Sequence, residues 1–174
     1  PLFVKPANAG SSVGISKAHD MKELFNAIRI AAVEDNKILI EETIVGREIE
    51  VAVLGNLHPK ASKVGELLAA NEFYDYEAKY NNAASVTRII DDLPEEKLDE
   101  VRQDALTVYK AMGCKGLSRV DFFLCEDGRV VFNELNTLPG FTNISMYPKL
   151  WEATDLPYSE LLDTLIDLAM DKME

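Results

Sequence analysis

Three side chains that carry oxygen atoms stand near the facing ends of two predicted strands. Asp121 lies in the first strand, and Glu134 and Asn136 lie at the end of the second. The Asp-Gly pair at 127–128, between two apolar runs, predicts a hairpin turn that joins the strands. Residues two apart share one face of a strand, so Glu134 and Asn136 point the same way, and a residue near Asp121 or Phe122 lies opposite Glu134.

This trio is suited to a hard cation. Mg²⁺ takes oxygen ligands and usually sits between carboxylates and substrate phosphates. An Asp and a Glu that face each other in a sheet repel unless a cation lies between them. The alternative is an acidic pair on a solvent-facing sheet surface. The apolar flanking residues disfavour that alternative, so the trio predicts a nucleotide enzyme.

A loop of small residues precedes this region in the chain. Residues 8–14 read Asn-Ala-Gly-Ser-Ser-Val-Gly, and Lys5 stands just before them. Backbone N–H groups and two hydroxyls in such a loop can approach an anion closely. The loop matches neither a Walker loop nor a dinucleotide fingerprint, because no helix follows and the Walker Lys is missing. A plain turn and a surface Lys are the alternatives.

Carboxylates on two further predicted strands supply candidate nucleotide contacts. Glu41 and Glu42 end an apolar strand, whose backbone, together with Ile44, could hold an adenine edge. Glu48, on the next strand, could accept a ribose hydroxyl. All three carboxylates could equally be exposed at a strand edge, and the sequence leaves both readings open.

The segment 73–80 reads Phe-Tyr-Asp-Tyr-Glu-Ala-Lys-Tyr. Its four aromatic rings are too much apolar surface to leave exposed without a partner surface. Lys79, in a loop that closes over a nucleotide, can neutralise a transferring phosphoryl group while water is excluded. An ordinary surface loop is the alternative.

Composition limits the classes of protein that remain. The chain has 174 residues, 47% of them hydrophobic, enough for one domain or two small lobes. Its net charge of −12 argues against a nucleic-acid or anionic-membrane partner. Cys114 and Cys125 have no nearby His and fit cytosolic thiols. The first residues resemble the middle of a strand and not a signal peptide, so we expect a piece of a longer protein.

Apolar periodicity predicts the elements that position these residues. Asp20 begins a helix with a capping-box pattern, since Glu23 follows three residues later. The other predicted elements are strands over 2–5, 14–16, 37–42, 47–54, 60–67, 118–125 and 130–135, helices over 94–112 and 158–173, and a polar loop over 139–146.

Four motifs follow one another along the chain. They are Phe-Val-Lys-Pro-Ala-Asn-Ala-Gly-Ser-Ser-Val-Gly at 3–14, Phe-Tyr-Asp-Tyr-Glu-Ala-Lys-Tyr at 73–80, Gly-Leu-Ser-Arg-Val-Asp at 116–121 and Asn-Glu-Leu-Asn-Thr-Leu-Pro-Gly-Phe-Thr-Asn-Ile-Ser-Met-Tyr-Pro at 133–148. Together they resemble the D-alanine–D-alanine ligases of bacteria, members of the ATP-grasp superfamily. The resemblance covers essentially the whole chain.

The resemblance implies a role for each candidate. The implied contacts to ATP are Lys5, Ser12, Glu41, Glu42, Ile44, Glu48 and Lys79. The implied ligands of two Mg²⁺ ions, or of Mn²⁺, are Asp121, Glu134 and Asn136. The residues implied in catalysis are Arg119 and the Gly140 N–H, at the oxyanion, and Ser11 and Tyr80, in a triad that positions the substrates. The implied contacts to the second D-alanine are Ser145 and Met146.

The implied reaction is the ATP-dependent ligation of two D-alanines through an acyl phosphate, for peptidoglycan precursor synthesis in the cytoplasm. An intact Tyr80 favours D-alanine as the second substrate. The family's N-terminal substrate domain is missing, and with it one Glu of the triad and the usual homodimer contact. We therefore expect the isolated chain to be inactive. A non-catalytic ATP- and Mg²⁺-binding fragment and another ATP-grasp carboxylate–amine ligase are the alternatives.

The expected fold is α+β, with an ATP-grasp architecture. It has an antiparallel sheet with helices on one side, and a smaller α+β lobe. The predicted lobes are 1–67, part of the central ATP-grasp lobe, and 68–174, the C-terminal catalytic lobe.

Overall fold

Residues 1–68, 86–142 and 144–171, which a computed structural model describes, form two units with separate sheets. The first unit spans 1–45, and the second spans 46–68 and continues from 87 onward. Lys79 and Tyr80 lie outside the described residues. The predicted lobes 1–67 and 68–174 stay a prediction.

The described residues form eight strands and four helices. The strands are β1 (Leu2–Pro6), β2 (Ser16–Ala18), β3 (Ile38–Glu42), β4 (Gly46–Leu54), β5 (Lys60–Leu68), β6 (Val86–Ile89), β7 (Leu117–Cys125) and β8 (Val130–Asn136). The helices of the described residues are α1 (Met21–Glu34), α2 (Glu95–Ala111), α3 (Met146–Glu152) and α4 (Tyr158–Met170). Among these residues, no helix combines the length and the apolar character that crossing a membrane requires.

In the first unit, β1 is the middle strand of a three-stranded antiparallel sheet, in the order β2-β1-β3. The buried side chains that join α1 to this sheet are Val4, Ala27 and Ala31. The predicted helix start is confirmed, because the Asp20 carboxylate accepts from the Glu23 N–H at 2.8 Å. Glu23 accepts in return from the N–H of His19, at 2.7 Å, one residue earlier than a capping box requires.

In the second unit, β4 and β7 lie inside a five-stranded sheet of order β6-β5-β4-β7-β8. Side chains alternate along β4: Ile49 and Val51 pack with α2, whereas Ala52 and Leu54 pack with α3 and α4. The expectation of helices on one side only is therefore wrong. Each face of β4 carries buried apolar side chains, and helices cover the apolar part of both faces.

Two helix boundaries differ slightly from their predictions, and one helix is new. α2 begins at Glu95, so Pro94 is the N-cap residue, and α4 ends at Met170. The sequence analysis predicts no helix over 146–152, and its polar loop over 139–146 ends where α3 begins. Pro148 lies in the first turn of α3, where a helix needs no N–H from it.

A cluster of four charged residues, the Glu66 cluster, joins β4, β5 and β6. Glu66 is only 3% exposed, and its carboxylate accepts from Arg47 at 2.7 and 2.8 Å and from Arg88 at 2.7 Å. Both arginines also donate to Asp92, at 2.9 and 2.8 Å. The cluster therefore ties together the strands on either side of residues 69–85.

The Glu66 cluster predicts a pH dependence of stability. Hydrogen bonds from Arg88, and then from Arg47, lower the pKa of Asp92 from 3.8 to about 2. A carboxyl whose pKa is lower in the folded state stabilises the fold above its unfolded pKa and loses that contribution as the pH falls through its folded pKa. We expect the stability difference between the wild type and Asp92→Asn to fall by about half between pH 7 and pH 3. Urea denaturation at low salt measures this difference at each pH. A difference that does not change with pH would contradict the lowered pKa of Asp92.

Candidate nucleotide and metal site

A β-bulge in β8 brings Glu134 onto the face of the sheet that carries Asp121. Phe122 pairs with Phe132, but Asp121 pairs with Glu134, so Asn133 is an extra residue without a cross-strand partner. In an unbroken ladder Glu134 would lie opposite Val120, on the other face. The predicted pairing of Glu134 with a residue near Asp121 is confirmed.

The three predicted metal ligands lie together at this point. The Asn136 amide donates through Nδ2 to Asp121 Oδ2 at 3.1 Å and to Glu134 Oε1 at 3.3 Å. Arg119 pairs with Asn136 in the ladder, and its guanidinium makes a bidentate pair with the Asp121 carboxylate, at 2.7 Å for both bonds. Burial lowers the pKa of Arg119, but the bonds and charge of Asp121 outweigh it and raise this pKa above its usual value.

Glu50 is a third acidic residue of the site, and the sequence analysis did not identify it. It pairs with Asp121 across β4 and β7, is 8% exposed, and has its Oε2 3.4 Å from Arg119 Nε. Burial, and then the charge of Asp121, raise the pKa of Glu50 to about 8. A charged residue inside the apolar run of a central strand is the signal that could have identified it.

The residues present fit a hard cation. Asp121 and Glu134 supply carboxylate oxygens that face each other, and Asn136 supplies an amide oxygen if its side chain turns over to present Oδ1. Among the described residues, no group of three or more His, Cys, Asp or Glu side chains is arranged to hold a metal ion. A cation here would therefore take its remaining ligands from water or a substrate phosphate.

The segment after β8 groups three further candidates. A methyl group at Gly140 would approach Ser145 Oγ to 2.8 Å, so the two residues lie in close contact. Ser145 Oγ accepts from the Thr142 N–H at 3.0 Å and lies 2.9 Å from Thr142 Oγ1. Met146 is buried and begins α3 directly after Ser145. The start of α3 thus fixes the position of Ser145 and Met146.

In the first unit, Lys5 is held by a neighbouring strand. Its Nζ lies 2.8 Å from Glu41 Oε2, on β3. Glu42 ends β3 and is exposed, and Ile44 follows two residues later, half-buried. Glu48 belongs to the second unit, where it lies on the same face of the sheet as Asp121 because it pairs with Phe123.

The loop after β1 has an unusual backbone. Ser11 and Ser12 have φ angles of 55° and 61°, in the left-handed region that non-glycine residues rarely adopt. Such residues concentrate in ligand-binding segments. The loop is anchored at Asn8, whose N–H and side-chain amide donate to Asp35 at 2.8 and 2.6 Å. Ser11 and Ser12 are also the central residues of a hydrogen-bonded turn over residues 10–13, so anion binding by this loop stays a prediction.

Comparison with known proteins identifies the family. The profile of the D-Ala–D-Ala ligase C-terminus matches residues 1–167. A D-alanine–D-alanine ligase of Acetivibrio thermocellus is 57% identical over 99% of this chain and 46% of its own length. A D-Ala:D-Ser ligase structure from Enterococcus faecalis is 40% identical, with a TM-score of 0.85, over 97% of this chain and 49% of that one.

A third relative was solved with nucleotide. A D-alanine–D-alanine ligase from Bacillus anthracis, complexed with ATP, is 32% identical, with a TM-score of 0.80, over 98% of this chain and 52% of that one. The chain therefore spans about half the length of its relatives. It has the α+β fold of the ATP-grasp ligases, and it belongs to the D-alanine–D-alanine ligase family, of which it represents the C-terminal portion.

Proposed function

We propose that this chain is the ATP-binding and catalytic half of an enzyme that joins two D-alanines. The carboxylate of the first D-alanine attacks the γ-phosphoryl group of ATP and gives an acyl phosphate and ADP. The amine of the second D-alanine then attacks the acyl carbon, and phosphate leaves. The observation that carries the proposal is the grouping of Arg119, Asp121, Glu134 and Asn136 on one face of the sheet.

Residues of the second unit have separate roles in this reaction. Asp121, Glu134 and Asn136 would hold Mg²⁺, which neutralises the phosphate charge that grows during transfer. Arg119 directs its guanidinium at the negative charge of the tetrahedral intermediate, and the Gly140 N–H adds a second donor. Ser145 and Met146, fixed at the start of α3, hold the carboxylate of the second D-alanine.

The remaining candidates supply the nucleotide contacts. Lys5 and Lys79 contact phosphate, and the strained Ser11–Ser12 turn covers it with N–H groups and hydroxyls. The adenosine contacts are Glu41, Glu42, Ile44 and Glu48. Ser11 and Tyr80 position the amino acids together with a Glu from the N-terminal part of the full-length enzyme.

The full-length enzyme would act in the cytoplasm, as a homodimer through its N-terminal domain, and supply dipeptide for peptidoglycan. The similarity to a D-Ala:D-Ser ligase makes D-serine a second candidate for the attacking amine. Assays of the full-length enzyme with D-alanine alone and with D-alanine plus D-serine distinguish the two products.

Isothermal titration of the chain with a non-hydrolysable ATP analogue tests the nucleotide site. We expect binding with a Kd below about 1 mM when Mg²⁺ is present, and at least tenfold weaker binding without it. The double variant Asp121→Ala/Glu134→Ala should lose the effect of Mg²⁺, because both carboxylate ligands are gone. We expect the chain alone to release no phosphate from ATP and D-alanine.

A matched control removes two acids from the same hairpin. Glu126 and Asp127 lie in its exposed turn, so Glu126→Ala/Asp127→Ala changes the net charge equally and should bind as the wild type does. Equal losses in both double variants would indicate a general charge effect and contradict a specific metal site. Absence of binding under every condition would overturn the proposal that this half binds ATP by itself.

A further inference from the structure

Arg119 lies between two carboxyl groups, those of Asp121 and Glu50, and only Asp121 has a role in the proposed function. Both oxygens of Asp121 accept from it, at 2.7 Å. On the other side, Glu50 Oε2 lies 3.4 Å from Arg119 Nε, and this oxygen is fully buried without a hydrogen bond. Glu50 and Arg119 come from neighbouring strands, β4 and β7, within the same unit.

A buried carboxylate oxygen without a hydrogen bond is costly. Native proteins satisfy most buried polar atoms, and an exception calls for an explanation. An apolar side chain would suit this position, since Glu50 is itself buried and Ala52, the next residue on the same face of β4, is fully buried. The need for an oxygen atom next to Arg119 is the explanation that the contacts support.

Asp121 alone is a poor anchor for Arg119. In the proposed function Asp121 also serves as a metal ligand, so its two oxygens cannot be reserved for the guanidinium. Glu48 and Glu134 also face this point, but in the described part of the chain the ion pairs of Arg119 are those with Asp121 and Glu50. Glu50 is therefore the second acceptor within reach.

We propose that Glu50 is a positioning residue, which holds the Arg119 guanidinium in place for its part in the ligase reaction. This inference rests on the proposed function. The position requires an oxygen acceptor beside Arg119, which a carboxyl provides with or without its proton. Glu50 itself need not contact the substrates.

Two substitutions in the full-length enzyme separate this role from a structural one. Glu50→Met keeps the volume but removes the acceptor, and we expect kcat to fall by about 10- to 100-fold while the KM for ATP stays within about threefold. The thermal midpoint should stay equal or rise, because a costly buried carboxyl is removed. Glu50→Gln keeps an acceptor oxygen, and its kcat should stay within about threefold of the wild type.

The exposed pair of Asp127 and Arg129, at 2.7 Å, provides the matched control. Asp127→Asn removes a carboxylate from an arginine at the surface and should change neither kcat nor the midpoint. A Glu50→Met enzyme with kcat within twofold of the wild type would overturn the proposal. So would a Glu50→Met enzyme in which kcat and the midpoint fall together.

A double-mutant cycle with Arg119→Met tests whether Glu50 acts through Arg119. In the Arg119→Met background, Glu50→Met should change kcat by less than about twofold. In the absence of nucleotide and Mg²⁺, Glu50→Met should raise the midpoint more in this background than in the wild type, because the buried Glu50 carboxyl then lacks the guanidinium beside it. Equal effects in both backgrounds would overturn the proposal. The midpoint cycle needs no turnover, so it still decides the Glu50–Arg119 pairing if the enzyme makes no dipeptide and the proposed function fails.

Discussion

Asp121→Asn in the full-length enzyme is expected to lower kcat for dipeptide formation by about 10³-fold. The substitution keeps the size of the side chain but removes the charge that both Arg119 and a metal ion would use. Loss of several kcal/mol of charge stabilisation in the transition state corresponds to about three factors of ten in rate. Phosphate release at saturating ATP and D-alanine measures the effect.

The Mg²⁺ dependence of the residual rate gives this prediction a second readout. If Asp121 is a ligand, the Mg²⁺ concentration for half-maximal rate should rise at least tenfold in Asp121→Asn. Asp127→Asn, in the exposed turn of the same hairpin, should leave both quantities unchanged. A residual kcat within tenfold of the wild type would contradict the assigned role of Asp121.

Glu66→Gln is expected to lower the free energy of unfolding of the second unit by about 3 kcal/mol. The Glu66 side chain is 4% exposed and accepts from two arginines, so its neutral replacement removes the buried negative charge that Arg47 and Arg88 share. The effect should be smaller than for a fully buried pair, because both arginines remain partly exposed. Chemical denaturation measures it.

The control for Glu66 is an exposed acid with a single partner. Glu100 pairs with Lys97 at 2.5 Å on the surface of α2, and Glu100→Gln should change the free energy of unfolding by less than about 1 kcal/mol. Equal losses of unfolding free energy for Glu66→Gln and Glu100→Gln would show that neither the burial of Glu66 nor its second arginine adds to stability.

Local patterns predict the parts of this fold that depend on near neighbours. The hairpin of β7 and β8 follows from the turn at 127–128, and the start of α1 follows from Asp20 and Glu23. Asp121, Glu134 and Asn136 could be grouped from sequence because one hairpin carries all three.

The features that local sequence patterns do not predict depend on contacts between residues far apart in the chain. Glu50 meets Asp121 only through the pairing of β4 with β7, two strands that are more than sixty residues apart in the chain. Glu66 meets Arg88 only across residues 69–85. Which face of the sheet each helix covers depends on how β4 pairs with its neighbours, and no local pattern predicts that pairing.

The bulge in β8 has a consequence for how this hairpin can change in evolution. Asn133 has no partner across the ladder, so it is a spare residue between Phe132 and Glu134. A one-residue deletion between the turn and Glu134 could be absorbed by drawing Asn133 into the ladder, with Glu134 still opposite Asp121. Lineages can therefore shorten this strand by one residue and keep their chemistry, a tolerance that a regular ladder would deny them.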